Sequence, residues 1–220
     1  MTAETKRLIS IVVPVYNEEA VLPEFYKRVR SVLGKMGGLS SQELIFVDDG
    51  STDGTEKILI DLSHSDPRVK IVHLSRNFGH QIALTAGLDH AQGDAVVMID
   101  SDLQDPPEAI PLLLDKWRAG YEVVYGVRES REVDTWFKRN TARIFYWIMR
   151  KVGNLDLPAD AGDFRLIDKK VVQVFRSVGE HHRFIRGLTS WVGFRQTGVL
   201  YKRAERFAGV TKYPFHKMFK

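Results

Sequence analysis

Two groups of acidic residues, each placed directly after a strand-like segment, are the first candidates for chemistry in this sequence. Asp100 and Asp102 follow the apolar segment 95–99, and Gln104 adds a neutral oxygen at the same spacing. Two carboxylates at positions i and i+2 can converge on one cation where the backbone turns, and hard oxygen ligands suit Mg²⁺ or Mn²⁺. The alternative is a pair of solvated loop acids, because an Asp-x-Asp pattern often occurs by chance.

The second acidic group is Asp48-Asp49-Gly50-Ser51, which follows the segment 43–47. A carboxylate at this place could accept hydrogen bonds from a ribose hydroxyl or from a base N–H group. The alternative is a turn that leads into a helix, since Ser and Asp favour both turns and helix N-termini. From these residues alone, both interpretations stay open.

The composition is that of one globular domain with a full core, and it excludes several classes of protein. The chain has 220 residues, of which 44% are hydrophobic and 27% are charged. It contains no cysteine, so disulfides, thiolate metal sites and a cysteine nucleophile are excluded. No stretch reaches the roughly 18 uninterrupted apolar residues of a membrane span, and the polar start shows no secretory signal. Neither a Gly-x-Gly-x-x-Gly nor a Walker A motif occurs, which argues against dehydrogenases and P-loop enzymes.

An alternation of strands and helices must position the acidic groups. Strands are predicted at 8–15, 43–47, 69–74, 95–100 and 122–125. Helices are predicted at 18–33, 53–63, 79–91 and 106–117. This alternation indicates a Rossmann-like α/β fold with a mostly parallel sheet, in which ligands bind beyond the carboxyl ends of the strands. After Tyr125 the alternation stops, and a basic, aromatic half begins.

Four motifs, in a characteristic order and spacing, carry a resemblance to a known family. They are VPVYNEE (13–19), VDDGSTDGT (47–55), SRNFGHQIALTAGLDHAQGD (75–94) and MIDSDLQDPPE (98–108). Together they resemble the inverting family 2 glycosyltransferases with the GT-A fold. The most similar branch is that of the polyprenyl-phosphate glycosyltransferases, which includes dolichol-phosphate mannose synthase and the bacterial bactoprenol glucosyltransferases. The segment GDFRLIDKK (162–170) and the basic C-terminal run extend the resemblance over nearly the whole chain.

The resemblance implies one catalytic domain over residues 1–220 and a role for particular residues. A nucleotide-sugar half would cover 1–126, and an acceptor and membrane-interface half would cover 127–220. The residues implied to line the nucleotide pocket are Pro14, Tyr16, Asn17, Glu18, Asp49 and Ser51. Those implied to hold Mg²⁺ or Mn²⁺ at the donor diphosphate are Asp100, Asp102 and Gln104, of which Asp102 also counts as catalytic. Those implied to approach the donor or acceptor phosphates are Arg203, Lys212 and the catalytic Arg206.

The implied reaction is the transfer of a hexose from a nucleotide sugar to a polyprenyl phosphate, with inversion at the anomeric carbon. Negative charge develops on the leaving diphosphate, and a divalent ion with Arg and Lys side chains would stabilise it. Asp163 resembles the family's acid near the acceptor. A phosphate acceptor, with its second pKa near ~6, is already largely a dianion. Asp163 is therefore either a general base or a residue that orients the acceptor, with a purely structural role as a further alternative.

The second half has features of a membrane surface contact. Residues 1–110 carry 10 Lys and Arg against 17 Asp and Glu, whereas residues 111–220 carry 22 against 11. Within 135–152 the apolar side chains fall along one helical face, and basic residues with Trp and Tyr lie largely elsewhere. Arg139 and Arg143, one turn apart, are candidates for the lipid phosphate. The alternative is a core helix with a solvated basic face. We expect a location on the cytoplasmic face of the membrane, with a membrane-spanning region lost by truncation.

Several alternatives remain beside this hypothesis. UDP-glucose is the preferred donor, and GDP-mannose is its main alternative. A second enzyme class is a sugar nucleotidyltransferase, although its glycine-rich phosphate loop is missing. A basic nucleic-acid-binding module is the non-enzyme alternative, but no recognised motif supports it, so no nucleic-acid partner is expected. A homo-oligomer is possible. The histidines, His80 among them, have no metal-ligand spacing and are interpreted as surface or hydrogen-bonding residues.

Overall fold

The computed structural model of the protein describes residues 7–35, 41–129, 161–180 and 183–204. The predicted amphipathic segment 135–152, with Arg139 and Arg143, lies outside the described residues. Arg206 and Lys212 lie outside them as well. The roles expected for these four residues therefore stay predictions.

The described residues form seven strands and six α-helices. The strands are β1 (Ile9–Val15), β2 (Gln42–Asp48), β3 (Val69–His73), β4 (Ala95–Met98), β5 (Val123–Arg128), β6 (Ala161–Asp168) and β7 (Gln196–Tyr201). The helices are α1 (Leu22–Lys35), α2 (Thr55–Ser65), α3 (His80–His90), α4 (Ile110–Arg118), α5 (Lys169–Ser177) and α6 (Ile185–Trp191). Every strand and helix predicted up to residue 125 is present, with ends that differ by a few residues.

All seven strands form one sheet in the order β3-β2-β1-β4-β6-β5-β7. β1, β2, β3 and β4 pair in parallel, which confirms the predicted mostly parallel sheet. The direction of winding reverses between β1 and β4, because β2 and β3 lie on one side of β1 and β4 on the other. Such a reversal opens a crevice at the carboxyl ends of the two strands, and this crevice is the usual ligand site of open α/β sheets.

Two strands, β6 and β7, come from the second half, where no strand was predicted. β6 is antiparallel to both of its neighbours, β4 and β5. Its sequence, AGDFRLID, breaks the apolar pattern with Asp163 and Arg165, so it lacks the continuous apolar run typical of a buried strand. β7 lies at the edge of the sheet, and its Leu200 is exposed. The alternation of strands therefore continues beyond Tyr125, with polar residues inside one strand and the other strand at an edge.

The sheet is covered on both faces, which gives a three-layer α/β sandwich. One apolar cluster joins alternate residues of β1 to α1, α2 and α4, with Phe25 packing edge-on against Phe46. The other cluster joins the opposite faces of the strands to α3, α5 and α6. Helix α3 comes especially close to the sheet, because a Cβ atom on Gly87 would overlap a methyl group of Val12.

Replacing Gly87 with Ala should therefore destabilise the protein, although alanine is the better helix former. The added methyl group has to displace Val12, and overpacking of this kind costs about 1–3 kcal/mol. The midpoint of urea unfolding, measured by far-UV circular dichroism, should fall accordingly.

Gly34→Ala in α1 is the matched control, since nothing lies within 4 Å of a Cβ atom there. That variant should be unchanged or gain up to about 1 kcal/mol from helix propensity. Equal effects at the two glycines would contradict the close approach of α3 to β1.

Candidate active site

The predicted site residues gather at the carboxyl edge of the parallel strands. Tyr16 directly follows β1, Asp49 follows β2, and Asp100 lies two residues beyond β4. β6 runs in the opposite direction, so its beginning reaches the same edge. Met98 of β4 pairs with Arg165 of β6 at this end of the ladder, so Asp100 and Asp163 each lie two positions beyond the last pair.

The loop after β1 is joined to the loop after β2 by reciprocal hydrogen bonds. Asn17 has a left-handed backbone (φ +53°), and its N–H donates to Ser51 Oγ at 2.9 Å. Its side-chain oxygen accepts from the N–H of Thr52 at 2.7 Å. The N–H of Glu18 donates to Thr55 Oγ1 at 2.8 Å. Asn17 thus holds the loop of Ser51 and Thr52 in place, and the contact of Asn17 and Ser51 with a nucleotide stays a prediction.

A cleft of about 490 Å³ lies between these loops and the loop after β3. Its lining residues are Tyr16, Asp48, Gly50, Ser51, Thr52, Glu56, His73, Leu74, Ser75, Arg76 and Asn77. The lining includes Tyr16 and Ser51 from the predicted nucleotide pocket. Pro14 is instead buried inside β1, where it pairs with Val47.

Asp49 is buried and fixes the loop that leads into α3. Its Oδ1 accepts the N–H of Phe78 at 2.7 Å, and its Oδ2 accepts the N–H of Gly79 at 2.9 Å. Gly79 has a φ of +101°, a conformation that glycine adopts without strain. The carboxylate of Asp49 therefore sets where α3 begins. A contact of Asp49 with the donor remains a prediction.

The loop after β4 carries the three residues predicted to hold a metal. Asp102 accepts the N–H of Gln104 at 3.0 Å, and the intervening Leu103 has a φ of +61°. The side-chain oxygen of Gln104 accepts from Arg203 Nη2 at 2.6 Å. The structure thus joins a residue predicted at the metal to a residue predicted at the phosphates.

Asp105 connects this loop to the end of β7. Its buried carboxylate accepts a short hydrogen bond from the hydroxyl of Tyr201. Arg128 and Arg203 lie 3.9 and 4.0 Å from its Oδ1. Burial, together with the neighbouring Asp105, raises the pKa of Tyr201. The hydroxyl of Tyr201 therefore keeps its proton and remains a hydrogen-bond donor to Asp105.

Asp163 lies between two basic side chains at the start of β6. Arg186 of α6 donates two parallel hydrogen bonds, from Nε to Oδ1 at 2.7 Å and from Nη2 to Oδ2 at 2.9 Å. His80 Nε2 lies 3.3 Å from Oδ2. Burial alone would raise the pKa of Asp163, but the hydrogen bonds from His80 and Arg186 outweigh it and hold the pKa well below the usual carboxyl range. The carboxylate is ionised throughout the physiological range of pH.

His80 is a site residue that the sequence alone did not identify. It begins α3, and its Nε2 also lies 3.6 Å from Asp100 Oδ1. Burial alone would lower the pKa of His80, but Asp163 and Asp100 outweigh it and raise the pKa. Its position directly after a strand and a glycine-containing loop was the available signal. The contact itself depends on the long-range pairing of β4 with β6.

The acidic side chains at this edge fit a divalent cation. The protein atoms packed around Asp100 raise its pKa to about 6, even though 38% of its side chain is exposed. His80 opposes the rise, whereas Asp105, Asp163 and Asp102 add to it. A cation that balances the crowded negative charge would favour the ionised form of Asp100. Among the described residues, no three His, Cys, Asp or Glu side chains converge as a ready metal cage. Two carboxylates completed by water and substrate phosphates are a usual ligand set for Mg²⁺.

None of the helices in the described part of the chain is long and apolar enough to cross a membrane.

Comparison with known proteins identifies relatives over almost the whole chain. A family model described as "Glycosyl transferase family 2" matches residues 10–175. An uncharacterized glycosyltransferase of Bacillus subtilis (strain 168) is 54% identical over 96% of this chain and 65% of its own length. The bactoprenol glucosyl transferase of Shigella phage SfV is 45% identical over 96% of this chain and 68% of its own length. The chain thus spans about two thirds of the length of these curated relatives.

Solved structures share the fold at low sequence identity. The mannosyltransferase PcManGT from Pyrobaculum calidifontis, in complex with GDP-Man and Mn²⁺, aligns with a TM-score of 0.63 and 18% identity. That alignment covers 98% of this chain and 60% of the other. Glucosyl-3-phosphoglycerate synthase from Mycobacterium tuberculosis, with Mn²⁺, UDP-glucose and phosphoglyceric acid, aligns with a TM-score of 0.60, 22% identity and coverages of 96% and 74%. The expected GT-A fold is confirmed by these neighbours.

Asp49→Asn should destabilise the protein through the start of α3. The asparagine keeps one acceptor oxygen, but its NH₂ group would face a backbone N–H of Phe78 or Gly79. The loss of a hydrogen bond to a buried charged group costs roughly 1.5–3 kcal/mol, measured as the free energy of urea unfolding.

Asp61→Asn provides the control, because Asp61 is an exposed residue of α2. A surface change of this kind stays within about 0.5 kcal/mol. If the two variants unfold alike, Asp49 does not anchor the loop before α3.

Proposed function

The chain belongs to glycosyl transferase family 2, and on this premise we propose that it transfers glucose from UDP-glucose to a polyprenyl phosphate, with inversion at the anomeric carbon. The observation that carries the proposal is the grouping of these residues at one edge of the sheet. Tyr16 lines the cleft directly after β1, and Asp100 follows the neighbouring strand β4. His80 links Asp100 to Asp163, since its Nε2 lies 3.6 Å from the first carboxylate and 3.3 Å from the second. Family membership favours glycosyl transfer over the nucleotidyltransferase and nucleic-acid-binding alternatives.

The donor would occupy the cleft at the ends of β1, β2 and β3. Its volume of about 490 Å³ falls within the usual range of small-molecule pockets. The choice of glucose rests on relatives that are named bactoprenol glucosyl transferases, and the choice of uridine on the resemblance of the motifs. GDP-mannose remains the alternative donor.

A bound Mg²⁺ or Mn²⁺ would be held by Asp100 and Asp102, with Gln104 beside them, and would supply positive charge where the donor diphosphate becomes the leaving group. Gln104 also accepts a hydrogen bond from Arg203, so Arg203 would lie close to the same diphosphate. Its guanidinium would stabilise negative charge on the leaving phosphate oxygens. Arg206 and Lys212 are proposed to assist it.

Asp163 would orient the acceptor rather than take a proton from it. Its carboxylate is ionised and already accepts hydrogen bonds from Arg186. An acceptor phosphate with its second pKa near ~6 is largely a dianion at neutral pH, and it needs a position more than it needs a base. The positive charge of Arg186 would offset the repulsion between the Asp163 carboxylate and the acceptor phosphate.

The acceptor makes the membrane surface the proposed location of the reaction. A polyprenyl phosphate has its phosphate at the lipid–water interface, so the carboxyl edge of the sheet would face the cytoplasmic surface of the membrane. Arg139 and Arg143 are proposed to bind the lipid phosphate from the segment 135–152.

Donor binding is the first test, and it needs no lipid. Calorimetric titration with UDP-glucose in the presence of Mn²⁺ should show saturable binding, and EDTA should abolish it or weaken it at least tenfold. GDP-mannose should bind much more weakly under the same conditions. Tighter binding of GDP-mannose would replace the donor, and binding of neither nucleotide sugar would contradict the proposed donor class.

Asp102→Asn should lower transfer to an undecaprenyl phosphate in detergent micelles about 10²–10³-fold, the usual loss when one electrostatic stabiliser of the transition state is removed. Asp102 lies in a loop, so the temperature of unfolding should change little. Asp115→Asn, at an exposed position of α4, is the control and should keep normal turnover. Normal turnover in Asp102→Asn would remove Asp102 from the metal site.

A further inference from the structure

The imidazole of His80 lies close to two carboxylates, one just past the end of β4 and one at the beginning of β6. Its Nε2 is 3.3 Å from Asp163 Oδ2 and 3.6 Å from Asp100 Oδ1. We propose that His80 is a positioning residue that holds the Asp163 carboxylate in place toward Asp100, and so sets where the acceptor is bound. This inference rests on the proposed function, because it assigns His80 an effect on the acceptor side of that reaction.

The position of His80 is fixed from the donor side of the crevice. Asp49 accepts the backbone N–H groups of Phe78 and Gly79, the two residues directly before His80. Gly79 then turns the chain with a left-handed backbone, and α3 begins. The imidazole is consequently placed by a buried anchor, and only 25% of the side chain is exposed.

His80 contacts Asp163 from α3, whereas the other partner of this carboxylate, Arg186, belongs to α6. Arg186 donates to both carboxylate oxygens, and its side chain is 40% exposed. Without His80, the described structure shows no other hydrogen-bond donor that contacts both Asp163 and Asp100, and the negative charges of the two carboxylates repel each other. The repulsion would turn the Asp163 carboxylate away from the donor side, toward Arg186.

This arrangement predicts which step of the reaction depends on His80. His80 does not line the donor cleft. It does lie 3.6 Å from Asp100, a proposed metal ligand, so donor affinity should be independent of the imidazole when it is measured at saturating Mn²⁺. The orientation of the acceptor relative to the donor does depend on Asp163. A change at His80 should therefore lower kcat, since a misplaced nucleophile reacts slowly even when both substrates are bound.

The test compares His80→Leu and His80→Gln with His90→Leu. His90 is the last residue of the same helix; it is exposed, and its Nδ1 lies 2.8 Å from the carbonyl of Ala86. With UDP-glucose, saturating Mn²⁺ and undecaprenyl phosphate in micelles, His80→Leu should lose at least tenfold in kcat. The Kd for UDP-glucose, measured by calorimetry at the same saturating Mn²⁺, should stay within twofold. His80→Gln should recover part of the loss, because its amide can donate to Asp163. His90→Leu should behave as wild type.

A double-mutant cycle with Asp163→Asn separates positioning from general damage to the fold. If His80 acts through Asp163, the double variant should have the same kcat as Asp163→Asn alone. The midpoints of urea unfolding form a second cycle that needs no activity, and the two substitutions should be non-additive there as well.

Three results would overturn the inference. These are a normal kcat in His80→Leu, a loss that appears mainly in the Kd for UDP-glucose, and additive effects with Asp163→Asn. An inactive wild-type protein with every acceptor tested would refute the proposed function instead. In that case the unfolding cycle alone decides whether His80 holds Asp163, with additivity counting against it.

Discussion

The antiparallel insertion of β6 between β4 and β5 is the constraint on which the active-site edge depends. In a wholly parallel sheet, the beginning of every strand lies at the opposite edge from the ligand crevice. Reversing β6 brings its first residues, Asp163 among them, to the carboxyl end of β4. The backbone pairing of β4 with β6 thus brings the carboxylates of Asp100 and Asp163 to the same edge, and neighbouring side chains fix the direction of each carboxylate.

The sequence allowed prediction of those parts of the fold that local patterns encode. β1 and β4 are short apolar runs, and Asp100 falls just past the second of them, so its position at the carboxyl edge followed from the pattern. β6 was missed because Asp163 and Arg165 interrupt its apolar residues. Arg165 is buried, where Thr189 and the carbonyl of Gly162 accept its hydrogen bonds. Such a residue is identified as part of a core only once its distant partners are known.

The same limit explains why the individual side chains of the site were only partly predicted. Asp49 anchors two backbone N–H groups that lie about 30 positions further along the chain, a role that the sequence did not indicate, and its expected contact with a nucleotide stays a prediction. His80 showed no spacing that marks a ligand or a base. Its place between Asp100 and Asp163 combines the start of α3 with the register of β4 and β6, and neither is written in the residues around position 80.

The carboxylates at this edge differ in how far neighbouring side chains offset their negative charge. Asp105 has Arg128, Arg203 and Tyr201 around it, whereas Asp100 has His80 and further carboxylates. The difference gives Asp105 a structural role, and it is consistent with the proposal that a divalent cation balances the negative charge of Asp100. Two aspartates five positions apart in one loop thus differ in chemistry because of what the rest of the chain brings to them.

The close approach of α3 to β1 at Gly87 also influences the position of His80, because both residues belong to the same helix. Gly87 lies seven positions after His80, which is almost two full turns, so both lie on the same side of the helix, roughly 10 Å apart along its axis. The contact with Val12 limits how far α3 lies from the sheet and which side of the helix faces it. A shift of a few tenths of an ångström there would be carried along a rigid helix to the imidazole. The alignment of the Asp100 and Asp163 carboxylates thus depends on the absence of a side chain at Gly87, which lies in the core two helical turns from His80.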